Sequence, residues 1–208
     1  MYSCRFCHRE DARIENINCM NWVMCLCGIH YQLRMPDHAT IEKYYQEEYR
    51  AGHPIMFTDG KRAGWIVSQL PWKTGTLLDV GCGNGLTLLR AKNAGWNVEG
   101  IEPDERTREI SGKYGKIYAS LDEVTGHYDW LVASHVIEHT PDALEFTKKL
   151  RSLADNFILI VPIESYGLVH LWAFREDGFS LLVKLAGFTD IKSGYTKGVH
   201  YWVICKGV

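Results

Sequence analysis

The sequence predicts an α/β protein with a mainly parallel sheet, preceded by a small unit rich in cysteine. From residue 75 onward, short apolar runs alternate with helical patterns, which is typical of βαβ units whose sheet is covered by helices on both faces. Five of the seven cysteines lie instead within the first thirty residues. With 208 residues, of which 46% are hydrophobic, the chain can bury a core, so disordered and collagen-like classes are excluded.

The alternation resolves into a series of elements along the chain. Strands are predicted at residues 76–80, 97–101, 116–119, 128–134 and 157–161. Helices are predicted between and after them, at residues 85–94, 104–114, 141–154 and 179–186. Two further strands, 188–193 and 201–206, predict an antiparallel hairpin at one edge of the sheet. Upstream, residues 36–66 carry Ile41, Tyr44, Tyr45 and Tyr49 at near-helical spacing, which predicts a helix, a loop and a second helix.

Charge and hydropathy restrict the partners and the location of the chain. Lys and Arg number 23 against 25 Asp and Glu, so a nucleic-acid partner is possible but not favoured. The longest apolar runs, 157–163 and 201–205, are far shorter than the roughly 18–20 residues that span a bilayer, so we expect no membrane partner. The first residues lack the pattern of a secretory signal, which favours a cytoplasmic location with reduced thiols. Nothing in the sequence indicates an oligomeric state.

A glycine-rich loop follows the first strand of the predicted sheet. Gly81, Gly83 and Gly85 let the backbone bend sharply and let a ligand approach it closely. Glu102 ends the next strand, 21 residues after Gly81, where its carboxylate can accept hydrogen bonds from both hydroxyls of a ribose. The G-x-G-x-G spacing, without Arg or Lys, disfavours a pyrophosphate and therefore an NAD-dependent oxidoreductase. These features predict a nucleoside site at the carboxyl ends of the strands.

Residues 77–85, 98–104 and 128–139 resemble the successive motifs of class I S-adenosylmethionine-dependent methyltransferases. The resemblance implies a Rossmann-like fold with a mainly parallel seven-stranded sheet and an antiparallel C-terminal strand. It implies that Glu102 binds the ribose of S-adenosylmethionine and that Pro103 and Asp104 lie beside the adenine; Asp122 is an alternative to Ser120 and Leu121 near the adenine amine. The cofactor-binding residues that it implies are Asp79, Gly81, Cys82, Gly83, Gly85, Glu102, Pro103, Ser120, Leu121, Ser134 and His135.

A histidine-containing segment, SHVIEHTPD, follows the fourth strand and resembles a stretch of the small-molecule branch of that family. Methyl transfer from a sulfonium is an in-line displacement, so the protein mainly aligns the reactants, and a base is needed only when the acceptor loses a proton. Histidine titrates near neutral pH, so His135, and after it His139, are the candidate catalytic bases. A structural role for Glu138 and His139 stays open.

Two further possibilities involve the same region. The segment is similar to the Glu-x-x-Glu-His stretch that, with a later histidine, holds a divalent ion in small-RNA 3′-end ribose methyltransferases, although His135 replaces the first glutamate. Two imidazoles and one carboxylate can still bind a transition metal. Residues 170–188 resemble the family segment that closes over the acceptor. Candidates for acceptor contact are therefore Tyr166, His170 and Trp172, with packing as the alternative for Trp172.

The N-terminal cysteines form two close pairs, Cys4-x2-Cys7 and Cys25-x-Cys27, a pattern typical of four thiolates around a tetrahedral zinc. Because the second pair is unusually close, Cys19, His8 and His30 are alternative ligands. The segment resembles the zinc-binding part of certain sugar C-methyltransferases, which implies a structural zinc in a knuckle or ribbon. Reduced, unpaired thiols are the alternative.

The sequence therefore predicts a zinc-binding cap at 1–35, a helical linker or lid at 36–72, and a methyltransferase domain at 73–208. The expected function is methyl transfer from S-adenosylmethionine to an oxygen or carbon of a small metabolite, such as a nucleotide sugar, a glycan unit or an aromatic compound. One alternative is an RNA, DNA or protein methyltransferase that recognises its substrate through the cap. The other is a non-catalytic module that binds S-adenosylmethionine.

Overall fold

The structure is a computed structural model that describes residues 2–44, 60–196 and 200–207. Its N-terminal part contains β1 (Arg13–Ile17), β2 (Met20–Met24), β3 (Ile29–Gln32), α1 (His38–Lys43) and α2 (Gly60–Gln69). Tyr45 and Tyr49 of the predicted linker lie outside the described residues.

The remainder of the chain alternates strands and helices, as the periodicity predicts. In chain order the elements are β4 (Thr76–Val80), α3 (Leu86–Asn93), β5 (Asn97–Ile101), α4 (Glu105–Ser111), β6 (Lys116–Tyr118), β7 (Tyr128–Ser134), α5 (Ala143–Arg151), β8 (Ala154–Pro162), β9 (Trp172–Phe174), α6 (Glu176–Leu185), β10 (Thr189–Thr196) and β11 (His200–Lys206). From residue 75 onward the predicted boundaries deviate by up to three residues. β8 and α6 begin three residues before their predicted starts at 157 and 179, α4 and α5 end three residues before their predicted ends at 114 and 154, and β10 ends three residues after its predicted end at 193.

The larger sheet has seven strands in the order β10-β11-β8-β7-β4-β5-β6. Its five strands from β8 to β6 are parallel, whereas β11 pairs antiparallel with both β8 and β10. The order changes direction between β4 and β7, so the loops that follow these two strands open on one crevice at their carboxyl ends. The predicted mainly parallel sheet with an antiparallel C-terminal hairpin is confirmed.

Local capping explains where two of the helices begin. The Asp104 side chain accepts a hydrogen bond from the backbone N–H of Thr107 at the start of α4, at 3.0 Å. The Asp142 side chain accepts from the N–H groups of Leu144 and Glu145 at the start of α5. Because each capping aspartate directly follows a loop at the carboxyl end of the sheet, both helices start at the edge that carries the candidate site.

A second, four-stranded antiparallel sheet has the order β1-β2-β3-β9. Its first three strands come from the cysteine-rich segment, but β9 comes from the region after β8 and pairs with β3 through Ile29–Phe174, His30–Ala173 and Tyr31–Trp172. The predicted cap and the predicted main domain therefore share a sheet. No helix among the described residues is long and apolar enough to cross a membrane.

Candidate functional site

The glycine loop runs from the end of β4 into α3. Gly81, Gly83 and Gly85 have φ values of +68°, +54° and +78°, which side chains rarely tolerate. A Cβ atom on Gly81 would lie 2.5 Å from Cγ2 of Val136, and one on Gly85 would lie 2.7 Å from the Tyr114 ring. The glycines are therefore required for the turn, and the small size of Gly81 and Gly85 also allows the close approach of Val136 after β7 and of Tyr114 after α4.

Glu102 closes this loop from the neighbouring strand. Its Oε2 accepts the backbone N–H of Gly83 at 3.0 Å, and its Oε1 accepts the N–H of Asp104 at 2.9 Å. Burial raises the pKa of this carboxyl. A carboxylate has about four lone-pair sites, so Glu102 keeps capacity to accept further hydrogen bonds, such as those of two sugar hydroxyls.

The other predicted cofactor residues differ in how they are placed. Asp79 is 3% exposed on β4, and burial raises its pKa to about 7. The Cys82 side chain is buried against Gly100, so this residue offers its backbone to the loop. Pro103 is exposed beside Glu102. Ser120 and Leu121 follow β6 at the same edge of the sheet, one at the surface and one partly buried.

The segment after β7 brings its polar groups to the same crevice. Ser134 has a buried hydroxyl without a hydrogen-bond partner among the described residues. His135 has a positive φ of 59°, and its Nε2 lies 3.1 Å from Nδ1 of His200 on β11. Its Nδ1 lies 3.5 Å from Oε1 of Glu138. His135 therefore links the glutamate to a second histidine that the sequence analysis did not single out.

Burial sets the protonation states of His135, His139 and Glu138. It lowers the pKa of His135 to about 2, with the Arg62 charge adding to the effect, and lowers that of His139 to about 4. Burial raises the pKa of Glu138 to about 8. At neutral pH both imidazoles are consequently neutral and keep a lone pair, while Glu138 is mostly protonated.

Glu138, His139 and His170 offer ligand atoms that all lie within 4.8 Å of one another. Nδ1 of His139 donates to the carbonyl of Val169 at 2.9 Å, and Nδ1 of His170 donates to the carbonyl of Ser165 at 3.1 Å. Each Nε2 is therefore left unprotonated in the neutral ring, which is the tautomer that a metal-binding histidine needs. The Glu138 carboxylate is 1% exposed and has no hydrogen-bond partner among the described residues, so the donor set fits a divalent cation.

The two aromatic candidates for acceptor contact have different environments. Trp172 is 2% exposed, and its indole N–H donates to the carbonyl of Thr140 at 2.7 Å, so the packing alternative applies to it. Tyr166 is partly buried, and its hydroxyl lies 2.8 Å from Nδ1 of His30.

The four thiols of Cys4, Cys7, Cys25 and Cys27 converge, with all Sγ atoms within 4.8 Å. Two of the separations are 3.8 Å, between Cys4 and Cys27, and 3.4 Å, between Cys7 and Cys25. Zinc–sulfur bonds of about 2.3 Å in a tetrahedron require sulfur atoms about 3.8 Å apart. Burial raises the pKa of Cys25 to about 11 and that of Cys27 beyond its usual range, whereas at Cys7 burial is outweighed by hydrogen bonds to the backbone of Arg9 and to the other thiols, which lower the pKa. A bound cation would stabilise the thiolate forms of Cys25 and Cys27.

The alternative zinc ligands, Cys19, His8 and His30, lie outside the group of four thiols. Cys19 is exposed at the tip of the β1–β2 hairpin, where positive φ values at Asn18 and Cys19 form the turn. His30 is bonded to Tyr166, and His8 is exposed outside the group of four thiols. The close Cys25-x-Cys27 spacing is accommodated because the N–H of Cys27 approaches Sγ of Cys25 at 3.5 Å and Gly28 turns the chain with a φ of +80°.

Comparison with protein families and curated sequences gives one consistent result. The family described as "Methyltransferase domain" matches residues 42–172. A ubiquinone biosynthesis O-methyltransferase from Paracidovorax citrulli is 28% identical over 173 residues, covering 74% of this chain and 66% of that protein. A protein of the same name from Bordetella bronchiseptica is 26% identical over 140 residues, covering 57% of each chain. The chain thus spans about two thirds or less of the length of these relatives.

Solved structures share the fold. Magnesium protoporphyrin IX methyltransferase from Synechocystis, with bound S-adenosylhomocysteine, superposes with a TM-score of 0.65 at 17% identity, covering 83% of this chain and 100% of that one. The 1,6-didemethyltoxoflavin-N1-methyltransferase of Burkholderia thailandensis gives a TM-score of 0.65 at 18% identity, covering 86% of this chain and 96% of that one. These similarities support the Rossmann-like architecture.

Proposed function

The chain belongs to the methyltransferase domain family and has the fold of its class I, S-adenosylmethionine-dependent members, and from this premise we propose that it methylates an oxygen of a small metabolite. The observation that carries the proposal is the hydrogen bond between the Gly83 N–H and Glu102, which joins the glycine loop to the acid at the end of the next strand. This arrangement fits a nucleoside whose sugar hydroxyls donate to the carboxylate.

The residues toward the cofactor have distinct roles in this proposal. Glu102 accepts hydrogen bonds from the ribose, and the backbone of Gly81 to Gly85 lies against the amino-acid part of the cofactor. Ser134 offers a buried hydroxyl without a partner among the described residues, which is a polar group that a ligand can satisfy. The adenine is bordered by Pro103, Ser120 and Leu121. The glycine loop is supported on its buried side by Asp79 and Cys82.

S-adenosylmethionine supplies a methyl group on a positively charged sulfur, ready for in-line displacement. On the protein side, His135 accepts the proton that the acceptor hydroxyl loses, and His139 is the second candidate for this role. The depressed pKa of His135 keeps its lone pair available but makes it a weak base. Glu138 at 3.5 Å stabilises the resulting imidazolium once its own proton is lost.

A divalent cation held by Glu138, His139 and His170 is a second way to activate the same hydroxyl, favoured by the buried carboxylate that has no hydrogen-bond partner. Such an ion would lower the pKa of a bound oxygen and so remove the need for a strong base.

At the N-terminus, we propose a structural zinc held by Cys4, Cys7, Cys25 and Cys27. All four positions of the ion are filled by thiolates, so zinc would stabilise the fold and take no part in transfer. Free thiols at this density suit a reducing, cytoplasmic compartment.

An oxygen acceptor is supported by the curated relatives, which are named as O-methyltransferases, and by the histidines available to take a proton. Aromatic hydroxyls, nucleotide sugars and glycan units are the acceptor classes that we propose. A carbon acceptor is the alternative.

The test begins with calorimetric titration of the zinc-loaded chain with S-adenosylmethionine, S-adenosylhomocysteine and NAD. We expect the first two to bind, NAD not to bind, and Glu102→Ala to weaken binding by about tenfold or more, since hydrogen bonds to a charged group are worth about 1.5–3 kcal/mol. Glu109→Ala, an exposed glutamate on α4, is the matched control and should bind as the wild type does. Absence of binding to a folded chain would overturn the proposal.

Turnover with a panel of acceptors then distinguishes the alternatives. Methylation of small hydroxyl compounds that is lost in His135→Ala, while S-adenosylhomocysteine still binds, supports the proposal. Methylation restricted to RNA, DNA or protein would favour recognition through the cysteine unit, and binding without turnover on every acceptor would favour a non-catalytic module.

A further inference from the structure

The loop between β8 and β9, residues 164–171, orients two of the site histidines; we call it the histidine loop. The carbonyl of Val169 accepts Nδ1–H of His139, and the N–H of Leu171 donates to the carbonyl of Glu138 at 2.8 Å. His170 belongs to the loop and packs its ring against His139, with centroids 4.8 Å apart. The positions of both imidazoles therefore depend on the path of this loop.

Side chains from the cysteine-rich unit form hydrogen bonds with the histidine loop: Asn18 and His30 reach Tyr166, and Gln32 makes the contacts nearest to His170. Nε2 of Gln32, on β3, lies 3.1, 3.1 and 3.0 Å from the carbonyl oxygens of Gly167, Leu168 and His170. Gln32 is 5% exposed. Its amide nitrogen carries two hydrogens for three carbonyl acceptors, so both hydrogens are used in hydrogen bonds to the loop. A buried amide with this many partners fixes the backbone of the loop.

The Cys25–Cys27 pair lies just before the start of β3. Cys27 directly precedes Gly28, whose carbonyl accepts the N–H of Arg175, the residue before α6, at 2.8 Å. A Cβ atom on Gly28 would lie 2.2 Å from Asp177, so this end of β3 is packed tightly onto the main domain.

The Cys4–Cys7 pair is connected to the main domain through Arg5. Arg5, between Cys4 and Cys7, places its guanidinium 4.2 Å from the ring centroid of Trp172, and the Trp172 indole donates to the carbonyl of Thr140. Thr140 follows His139 in the chain. The Cys4–Cys7 pair is thus connected through Arg5 and Trp172 to the residue after His139, and the Cys25–Cys27 pair is connected through β3 and Gln32 to the carbonyl of His170.

We propose that Gln32 is a positioning residue that sets the orientation of His139 and His170 through the histidine loop, and that occupancy of the four-thiol site controls this acceptor side of the crevice. The proposal rests on the proposed function for the presence of zinc and of an acceptor side. The cysteine-rich unit then positions the histidines as well as stabilising the fold. The contacts that run through Arg5 and Gln32 lead to the histidines and not to the glycine loop.

The test uses Gln32→Met, which has a similar shape but no donor, with Gln69→Met as the control; Gln69 ends α2 and donates to its neighbour Ser68. Three properties are measured: zinc content, affinity for S-adenosylhomocysteine, and the imidazole ¹⁵N signals of His139 and His170, assigned from His139→Gln and His170→Gln. We expect Gln32→Met to keep zinc and to bind the nucleoside within about twofold of the wild type. The Nδ1–H signature of His170 should be lost or averaged, and amide exchange of His170 and Leu171 should rise about tenfold or more.

Unchanged histidine signals in a folded Gln32→Met chain would overturn the positioning role. The role of the thiol site is tested separately with Cys27→Ser, against Cys19→Ser, whose thiol is exposed at the hairpin tip. Cys27→Ser should lose zinc and show the same histidine change while still binding S-adenosylhomocysteine. Loss of nucleoside binding together with the histidine change, or no histidine change after loss of zinc, would contradict the proposal. If Gln32→Met does not fold, Gln32→Asn, which keeps the amide but shortens the side chain by one methylene, is measured in the same way, and unchanged histidine signals in it would overturn the positioning role. A wild type that binds neither zinc nor the nucleoside would refute the proposed function instead, and the Gln32 contacts would still be testable from the histidine signals.

Discussion

The backbone N–H of Gly83 donates to Oε2 of Glu102 at 3.0 Å, so the loop after β4 and the acid after β5 form one unit. The same carboxylate accepts the N–H of Asp104, which directly precedes α4. Two backbone donors hold the carboxylate in place before any ligand arrives, and such preorganisation reduces the entropy cost of binding.

Nucleoside binding should weaken as the pH falls. Burial raises the pKa of Glu102, and sugar hydroxyls donate to its ionised form, so binding favours loss of the proton and protonation opposes binding. We expect the affinity for S-adenosylhomocysteine to be lower at pH 5.5 than at pH 8 in the wild type. Glu102→Gln should bind more weakly at pH 8 and show a smaller pH dependence. Calorimetry at four pH values checks this, and an equal slope in both proteins would contradict it.

The ionisation of Asp79 should reduce stability as the pH rises. Its pKa is raised to about 7 by burial, so the folded chain keeps a proton that the unfolded chain loses near pH 4. The folded state is therefore favoured most below pH 4, loses this advantage between about pH 4 and 7, and changes little from this source above pH 7. From pH 5 to 7.5 the free energy of unfolding should fall by up to about 3 kcal/mol more in the wild type than in Asp79→Asn.

Urea unfolding of both proteins across this range measures the difference. Asp122→Asn, whose side chain is 87% exposed, is the control and should follow the wild type. A wild-type curve parallel to that of Asp79→Asn would show that Asp79 does not carry the pH dependence.

The contact between Gly81 and Val136 should appear as a coupling energy. Gly81→Ala introduces a Cβ at a φ of +68°, which costs about 1–2 kcal/mol, and places it 2.5 Å from Cγ2 of Val136. Removing that methyl group in Gly81→Ala/Val136→Ala should recover about 1 kcal/mol or more relative to the sum of the single changes. Gly64→Ala, in α2 with 3.5 Å to the nearest atom, should be neutral or stabilising. Simple additivity in urea unfolding would show that the steric contact is unimportant.

Periodicity predicts the central sheet well because its strands are mostly buried apolar runs that alternate with helical patterns. Each of the five parallel strands was identified, and β4, β5 and β7 have the predicted bounds. Glycine spacing and the position of Glu102 predict that both lie at the carboxyl ends of neighbouring strands, whereas the hydrogen bond between Gly83 and Glu102 is visible only in the structure. The four cysteines likewise converge, since two close pairs have few ways to share one site.

The second sheet could not be predicted in the same way. β1 to β3 contain four or five residues each and lack a clear alternation, and β9 is a three-residue strand, Trp172–Phe174, that is buried on both sides. Its pairing with β3 depends on residues about 140 positions apart. Long sequence separations also hide the partners of Gln32 and His200, which lie 138 and 65 positions away and come close only once the chain is folded.

If Glu138, His139 and His170 bind a divalent cation, the zinc-loaded chain should bind Mn²⁺ selectively at this group. Carboxylate and imidazole donors suit Mn²⁺, whereas thiolates favour zinc, so Mn²⁺ reports on this group without occupying the cysteines. We expect about one Mn²⁺ per chain by electron paramagnetic resonance, and affinity reduced by about tenfold or more in Glu138→Gln and His170→Ala. His127→Ala is the matched control, because His127 is exposed and paired with Asp155 elsewhere on the surface. Equal binding by all four proteins would place the ion outside this group, and a histidine base, His135 or His139, would then take the acceptor proton.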